Sequence, residues 1–294
     1  MATPRERKFA FSYVERGKEL AAAKHYPEAL EALREAVRRD PTLVEAWILL
    51  ALTHYRLHEY IECLGAADEA LKHDSATRAG WNVRGQALLA LGRPAEAFAQ
   101  FSYAAGQWPH PYLAANAGVA LHDLRRHDGA LAWTDNALTR DPLHSLAMVN
   151  RAHFLIYLER YEEAKTQLAG ASAVASNQSN FWAAKGSLLT RNGDYDKAML
   201  ALKRAIDLSD EDSDGVAWEC MGKLLIALED YQNALEFAEH GLALWPYDSW
   251  FQELKAKALR GLGRVSEADE IERAVQARLA EQLALLDQAE GANG

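Results

Sequence analysis

The feature that most constrains this chain of 294 residues is a landmark that returns about every 34 residues. The landmark is an Asp-Pro pair or a substitute for it, and successive landmarks are separated by 34, 34, 33, 34, 34 and 36 residues. They lie at Asp40-Pro41, Asp74-Ser75, Trp108-Pro109, Asp141-Pro142, Ala175-Ser176, Ser209-Asp210 and Trp245-Pro246. Between them, apolar and small residues recur at the three- and four-residue spacing of one helix face, and no long run alternates as a strand does. A regular period of this length predicts a stacked array of identical helical units.

Each period divides into two helices joined by a short turn. Gly92, Gly193 and Gly263 follow helical runs, where glycine supplies a left-handed cap, and Pro27 and Pro94 stand just inside the next helix, where proline costs no hydrogen bond. Each unit is therefore predicted to be a helical hairpin.

Small residues mark where the two helices of a hairpin meet. In the first helix a residue that is usually large is followed four positions later by a small one, as in Trp47 with Ala51 and Trp182 with Gly186. In the second helix alanine returns after seven residues, as in Ala29 with Ala36. Small side chains at these positions let paired helices approach closely.

These residues together resemble the tetratricopeptide repeat family, whose pattern they follow unit by unit over nearly the whole chain. The resemblance implies an all-α fold, a right-handed superhelical solenoid of about eight helical hairpins with a C-terminal capping helix. We expect an N-terminal tail over 1–9, the solenoid over 10–265, a long terminal helix over 266–288 and a disordered tail over 289–294. Repeats are expected to start near residues 10, 44, 78, 111, 145, 179, 215 and 249.

The eighth unit departs furthest from the family pattern, because Gln252 stands where a large apolar residue is expected. Its second helix continues with Ile271, Val275, Leu279, Leu283 and Leu286 along one side. Such a helix is expected to cover the core of the last repeat. Dimerisation through the same side is the alternative.

Composition and charge limit the classes of partner. The net charge of -10 opposes nucleic-acid binding, which needs clustered positive charge, and it disfavours anionic membrane surfaces. Cys63 and Cys220 stand too far apart in the sequence for a CxxC motif and are predicted to be buried. No signal peptide or membrane span is evident, so a cytoplasmic location is expected.

The resemblance also implies where a partner binds, since the first helices of tetratricopeptide repeats line a concave groove that receives a peptide. The principal groove candidates here are Leu49, Tyr55, Asn82, Gln86, Tyr112, Asn116, Asn150, His153, Arg191 and Lys223. A wider set adds Leu52, His122, Val149, Asn180, Trp250 and Lys257.

Two modes of peptide recognition can be weighed on these residues. Asn116 and Asn150 occupy the same slot in successive repeats, where amide groups could hold a peptide backbone regardless of its sequence. The two amides would form a short ladder, similar to the one in the repeat arm of O-linked N-acetylglucosamine transferases. The simpler interpretation is that both asparagines lie on a solvated helix face. The family's carboxylate clamp needs a lysine directly after the large packing residue, and that slot holds none here.

No arrangement of residues predicts catalysis or a cofactor. His54 and His58 lie four residues apart but lack a third metal ligand, and His122 and His127 lack a nearby nucleophile. The run 210–215 matches the first half of a calcium loop, but Met221 stands where the bidentate glutamate should be. Helix capping is the simpler role for its aspartates.

The sequence therefore predicts a non-catalytic adaptor, monomeric or weakly self-associating, whose groove binds a protein or peptide partner. Two alternatives stay open: a scaffold that assembles through its own ends, and a regulatory subunit of an enzyme encoded elsewhere.

Overall fold

The computed structural model describes residues 3–209 and 215–291. Within these ranges the protein contains sixteen α-helices and no strand, so the expected all-α helical-repeat fold is confirmed. The acidic run Asp210–Asp214 lies outside the described residues.

The chain divides into two compact units, Met1–Leu91 (unit 1) and Gly92–Gly294 (unit 2). Unit 1 contains α1 (Pro4–Ala22), α2 (Tyr26–Arg39), α3 (Val44–Arg56), α4 (Tyr60–His73) and α5 (Arg78–Ala90). Unit 2 contains α6 (Pro94–Gln107), α7 (Pro111–Asp123), α8 (His127–Arg140), α9 (Ser145–Tyr157), α10 (Tyr161–Ala175), α11 (Ser179–Arg191), α12 (Tyr195–Leu208), α13 (Gly215–Ala227), α14 (Tyr231–Leu244), α15 (Ser249–Gly261) and α16 (Val265–Gly291). From α3 onward, the odd-numbered helices begin at the residues given above as repeat starts.

The turns between paired helices share one conformation. In each of eight turns one residue has a left-handed backbone, with φ between 58° and 79°. Glycine fills this position three times, and Lys24, His58, Arg125, Glu159 and Glu229 fill it elsewhere. The following amide closes the helix end, as where Arg126 N donates to Leu121 O at 2.8 Å. This pairing ends the helix and reverses the chain.

The small residues of the first helices meet leucines of neighbouring helices. A Cβ added to Gly17 would lie 2.7 Å from Leu33 Cγ in unit 1, and one added to Gly186 would lie 2.5 Å from Leu202 Cγ in unit 2. Carbon atoms in contact normally lie 3.5–4.0 Å apart. Only glycine therefore allows these helices to pack at this distance.

The large tryptophans of the first helices have a second role besides packing. The indole N–H of Trp47 donates to Pro41 O at 2.7 Å, and that of Trp182 donates to Ser176 O at 2.8 Å. Each bond ties the first helix to the landmark that precedes it. Both cysteines are free and buried, as the sequence predicts.

In unit 2 the last helix contacts the first. Its first helices α7, α9, α11, α13 and α15 contact one another in succession, and α16 packs against both α15 and α6. Val275 and Leu286 of α16 are buried, and Gln282 Oε1 accepts a hydrogen bond from Ala95 N at 3.3 Å, at the start of α6. The apolar side of α16 that was predicted to cap the last repeat therefore packs against helices of the same chain.

The expected bounds of the first and last helices need correction, and one boundary was not expected. The first helix begins at Pro4 rather than near residue 10, because the side chains of Thr3 and Glu6 cap its first turn reciprocally. The last helix runs from Val265 to Gly291, so 289–291 are helical, and 292–294 lie outside the described residues. The boundary between units falls inside the third repeat, where the sequence period is uninterrupted.

Candidate functional site

The ten principal groove candidates are shared between the two units. Leu49, Tyr55, Asn82 and Gln86 belong to unit 1, on α3 and α5. All four are half-buried, and Leu49 and Tyr55 pack against the core of that unit. Tyr112, Asn116, Asn150, His153, Arg191 and Lys223 belong to unit 2, on α7, α9, α11 and α13.

The two asparagines expected to form a ladder differ in exposure. Asn116 is buried, with 7% of its surface exposed, so its replacement affects packing as well as any ligand. Asn150 is half-buried, and its amide nitrogen has no hydrogen-bond partner. A solvated helix face, the simpler interpretation of the two residues, is wrong for Asn116, because this side chain lies among the buried alanines of α7.

Unit 2 contains a cluster of aromatic rings and histidines, at the C-terminal ends of α7 and α9 and the starts of α8 and α15. The His122 ring is stacked between Phe154 and Trp250, at 5.0 Å and 4.9 Å between ring centroids. His153 and His127 also contact Tyr157, at 5.1 Å and 5.2 Å. Residues from three repeats thus meet in one place, which we call the inner cluster.

Burial keeps the imidazoles of the inner cluster neutral at neutral pH. Burial first, and the neighbouring His153 and His127 second, lower the pKa of His122 well below its ordinary value. Burial lowers the pKa of His153 to about 4. The same effect, with Arg125 nearby, lowers the pKa of His127. Nδ1 of His122 and Nδ1 of His127 lie 3.1 Å apart, so one ring donates a hydrogen bond to the other.

One lysine keeps its charge beside these rings. Lys223 Nζ pairs with the buried carboxylate of Glu219 and donates a hydrogen bond to the Tyr157 hydroxyl. It also lies 4.6 Å from the centre of the Trp250 ring, a cation–π contact. Burial opposes the charge, but the Glu219 carboxylate more than offsets burial, so the pKa of Lys223 is raised. Lys223 is therefore a compensated cation that joins α13 to α9 and α15.

The turn after α7 is bonded to the start of α15. Arg125 has the left-handed backbone of that turn, and its guanidinium bonds Glu253 Oε1 at 2.6 Å while it covers the Trp250 ring. The Trp250 indole N–H donates to Asp123 Oδ1 at 3.2 Å. Burial raises the pKa of Asp123 to about 6 and that of Asp248, the N-cap of α15, to about 7. These contacts hold the first repeat of unit 2 against its last.

Beside the inner cluster lies an open cavity of about 400 Å³. It is lined by residues from α9, α11, α13 and α15: Tyr157, Ser187, Thr190, Arg191, Cys220, Lys223, Ile226, Ala227, Trp250, Glu253, Leu254 and Lys257. Of the principal candidates, Arg191 and Lys223 line this cavity, and so do Trp250 and Lys257 of the wider set. We call it the groove cavity.

Two cations of the groove cavity are left without an ion-pair partner. Within residues 3–209 and 215–291, Arg191 and Lys257 have none, and both are exposed. Glu253, one helical turn before Lys257, is bonded to Arg125 instead. Lys223 is compensated by Glu219. The cavity therefore presents two free positive charges beside the apolar side chains of Ile226, Ala227 and Leu254.

The histidines considered as metal ligands have other contacts. His54 Nδ1 lies 2.6 Å from Glu59 Oε2, and His58 Nδ1 lies 2.7 Å from the Tyr60 hydroxyl. Among the residues that the structure describes, no group of three or more His, Cys, Asp or Glu side chains is placed to hold a metal ion.

Several residues of this region were missed from the sequence. Tyr157, Glu219, Arg125 and Asp123 were not predicted as site residues, because each stands in a slot that ordinary solvated or packing residues also fill. The local signal was a carboxylate in the slot directly after the packing residue, where apolar residues are common in this chain and where the last two repeats have Glu219 and Glu253.

The family model of the tetratricopeptide repeat matches residues 14–61, 62–111, 84–145 and 149–213. The chain belongs to the tetratricopeptide repeat family, whose members mediate protein–protein interactions.

Two proteins with similar sequences are both much longer than this chain. Cell division cycle protein 27 homolog A of Arabidopsis thaliana is 34% identical over 99 residues, which are 34% of this chain and 14% of that protein. Anaphase-promoting complex subunit 3 of Schizosaccharomyces pombe is 24% identical over 220 residues, 74% of this chain and 31% of that protein. The chain thus spans less than a third of the length of either.

A tetratricopeptide repeat protein from Parabacteroides merdae shares the fold. Its crystal structure has a TM-score of 0.62 at 15% sequence identity, covering 86% of this chain and 99% of that one.

Across the described residues, no helix combines the length and apolar character needed to cross a bilayer.

Proposed function

We propose that this protein is a non-catalytic adaptor that holds a peptide segment of a partner protein in the groove cavity of unit 2. It needs no cofactor for this role. The observation that supports the proposal is the cavity itself, because side chains from four successive first helices surround an open space of about 400 Å³. Tyr157, Thr190, Ile226 and Leu254 represent those four helices.

The cavity suits a peptide better than it suits a reaction. Its wall combines apolar side chains with a few fixed polar groups, as binding sites do. Among the described residues that line it, the carboxylate is that of Glu253, which is held by Arg125, and the most enclosed cation, Lys223, is held by Glu219. Neither group is therefore available as a general acid or base.

A subunit role in a larger assembly is the second candidate. It is supported by the names of the two curated relatives, one of which is a subunit of a complex. In that role the protein is a scaffold or a regulatory subunit, and unit 1 or the outer helices provide further surfaces. The cytoplasmic location, the absence of nucleic-acid and membrane binding, and the monomeric or weakly associating state remain predictions from the sequence.

The test fills the cavity without disturbing the core. Ala227 lines the cavity and is exposed, so Ala227→Trp should block the space while leaving the helix packing intact. Ala169→Trp is the matched control, because Ala169 is exposed on α10 and does not line the cavity. A random peptide library displayed on phage is panned against the purified protein, and the affinities of the enriched peptides are measured by fluorescence polarisation.

We expect the selected peptides to bind the unmodified protein and the Ala169→Trp variant equally. Binding to Ala227→Trp should weaken by roughly tenfold or more, a loss of about 1.4 kcal/mol. Equal affinity for all three proteins would place peptide binding outside the groove cavity and refute the proposal.

A further inference from the structure

We propose that the groove cavity selects peptides by an acidic side chain, an Asp or Glu within the segment, next to an apolar residue. This inference rests on the proposed function, since it names the chemistry of the peptide that the same cavity holds. The geometry that supports it is the pair of exposed cations, Arg191 and Lys257, at the apolar wall of Ile226, Ala227 and Leu254.

What distinguishes the two cations is that they line a cavity, whereas many cations elsewhere in the described residues pair with a carboxylate close in sequence. Arg160 pairs with Glu163 at 2.7 Å and Arg264 with Glu267 at 2.6 Å, each across three residues at the start of a helix. Lys257 has a carboxylate one turn away, but the structure directs Glu253 to Arg125. For Arg191 the nearby Asp194 bonds Lys197 instead, at 3.3 Å.

The other charged side chains that line the cavity are already paired. Lys223 is a quarter exposed and is held by Glu219, and Glu253 is a quarter exposed and held by Arg125. The remaining net charge of the lining is that of Arg191 and Lys257. A local positive potential on a chain whose net charge is -10 favours an anionic partner group and disfavours a basic one.

The nature of the two cations fits a carboxylate. A guanidinium presents a planar fork that can hold both oxygens of one carboxylate, and a lysine adds a flexible second donor. Hydrogen bonds to charged groups are stronger than neutral ones. Ile226, Ala227 and Leu254 cover the neighbouring apolar side chain of the peptide.

The experiment reverses the charge of the cavity and compares the peptides selected. The library is displayed at the N-terminus of the phage coat protein, so no peptide offers a free C-terminal carboxylate, and selected peptides are resynthesised as C-terminal amides. The test variant is Arg191→Glu with Lys257→Glu. The matched control is Lys203→Glu with Arg204→Glu, an exposed Lys and Arg on α12 that do not line the cavity.

We expect peptides selected on the unmodified protein to share an Asp or Glu beside an apolar residue. Changing that residue to Asn or Gln should weaken binding by roughly tenfold or more, since a charged hydrogen-bond partner is lost. The cavity double variant should lose the acidic peptides and select Lys or Arg at the same position, while the α12 double variant should keep the original preference. Both double variants should melt within a few degrees of the unmodified protein, because none of the four side chains is buried.

The outcomes separate the two proposals. Peptides that are blocked by Ala227→Trp but have no shared acidic position would overturn this inference and leave peptide binding in the cavity intact. Acidic peptides that keep their affinity when the shared Asp or Glu is changed to Asn or Gln would also overturn it, since the negative charge would then contribute nothing to binding. Peptides insensitive to Ala227→Trp would overturn both.

Discussion

A glycine-to-alanine pair tests whether close helix packing holds unit 2 together. Gly186 and Gly170 both lie inside helices, so the change to Ala favours each helix by the same intrinsic amount, about 1 kcal/mol. Their surroundings differ. A Cβ at position 170 meets nothing nearer than Met148 Cε at 3.8 Å, an ordinary contact. A Cβ at position 186 lies 2.5 Å from Leu202 Cγ.

The magnitude follows from that distance. Leu202 is fully buried, and its Cγ would have to withdraw by about 1 Å to reach a normal carbon contact. Adding a methyl group to such a core costs about 1 to 3 kcal/mol. Gly170→Ala should therefore stabilise the protein by up to about 1 kcal/mol, and Gly186→Ala should be about 1 to 3 kcal/mol less stable than Gly170→Ala.

The assay is urea denaturation followed by circular dichroism, with hydrogen exchange to localise the change. Repeat proteins need not unfold in one step, so slower or faster exchange in α11 and α12 reports the local effect. Combining Gly186→Ala with Leu202→Ala should be less harmful than the sum of the two changes, since the contact is then absent. Equal stability of the two glycine variants, or additive behaviour of the Gly186 and Leu202 changes, would refute the packing interpretation.

Three further outcomes are expected in unit 2. Burial raises the pKa of Asp123 to about 6, so the stabilisation that its proton provides is complete below about pH 4 and is lost as the pH rises through 6. Asp123→Asn keeps an acceptor for Trp250 but does not titrate. Its free energy of unfolding, minus that of the unmodified protein, should therefore rise by about 1 to 3 kcal/mol between pH 4 and pH 8. Urea titrations at the two pH values measure this difference, and a constant difference would contradict the prediction. Gln282→Ala should cost about 0.5 to 1.5 kcal/mol and speed hydrogen exchange at Ala95, whereas unchanged exchange there would show that the contact to α6 is not formed in solution. Trp182→Ala should cost about 3 kcal/mol, the lower end for an aromatic core residue because Trp182 is only half-buried, and an unchanged melting temperature would remove it from the core.

The sequence by itself determined the repeat, its two-helix unit and most of the boundaries. Helix starts such as Val44, Ser145 and Ser249 could be placed because the signals are local: a spacing of three and four, a turn residue and a packing position. The left-handed turns at Gly92 and Gly193 were likewise visible, since glycine marks them. The left-handed residues of the turns at Arg125 and Glu159 carried no such mark, because neither is a glycine.

The site was less visible from the sequence than the fold. Arg191 and Lys223 were placed on the groove side from their repeat positions, and the structure puts both in one cavity. Their surroundings were not predicted, nor was the burial of Asn116. Charge compensation depends on which acid reaches which base, and repeat position does not specify that.

Tertiary structure alone decided how unit 2 closes. Arg125 meets Glu253 across 128 residues, and Ala95 meets Gln282 across 187. Each repeat contacts its neighbours, so a period in the sequence encodes those contacts directly. Contacts between the first and last elements of unit 2 depend instead on the sum of the small rotations between successive repeats. The sequence of a single repeat does not specify that sum. The bond of Arg125 to Glu253, which leaves Lys257 without its nearest carboxylate, follows from that accumulated rotation.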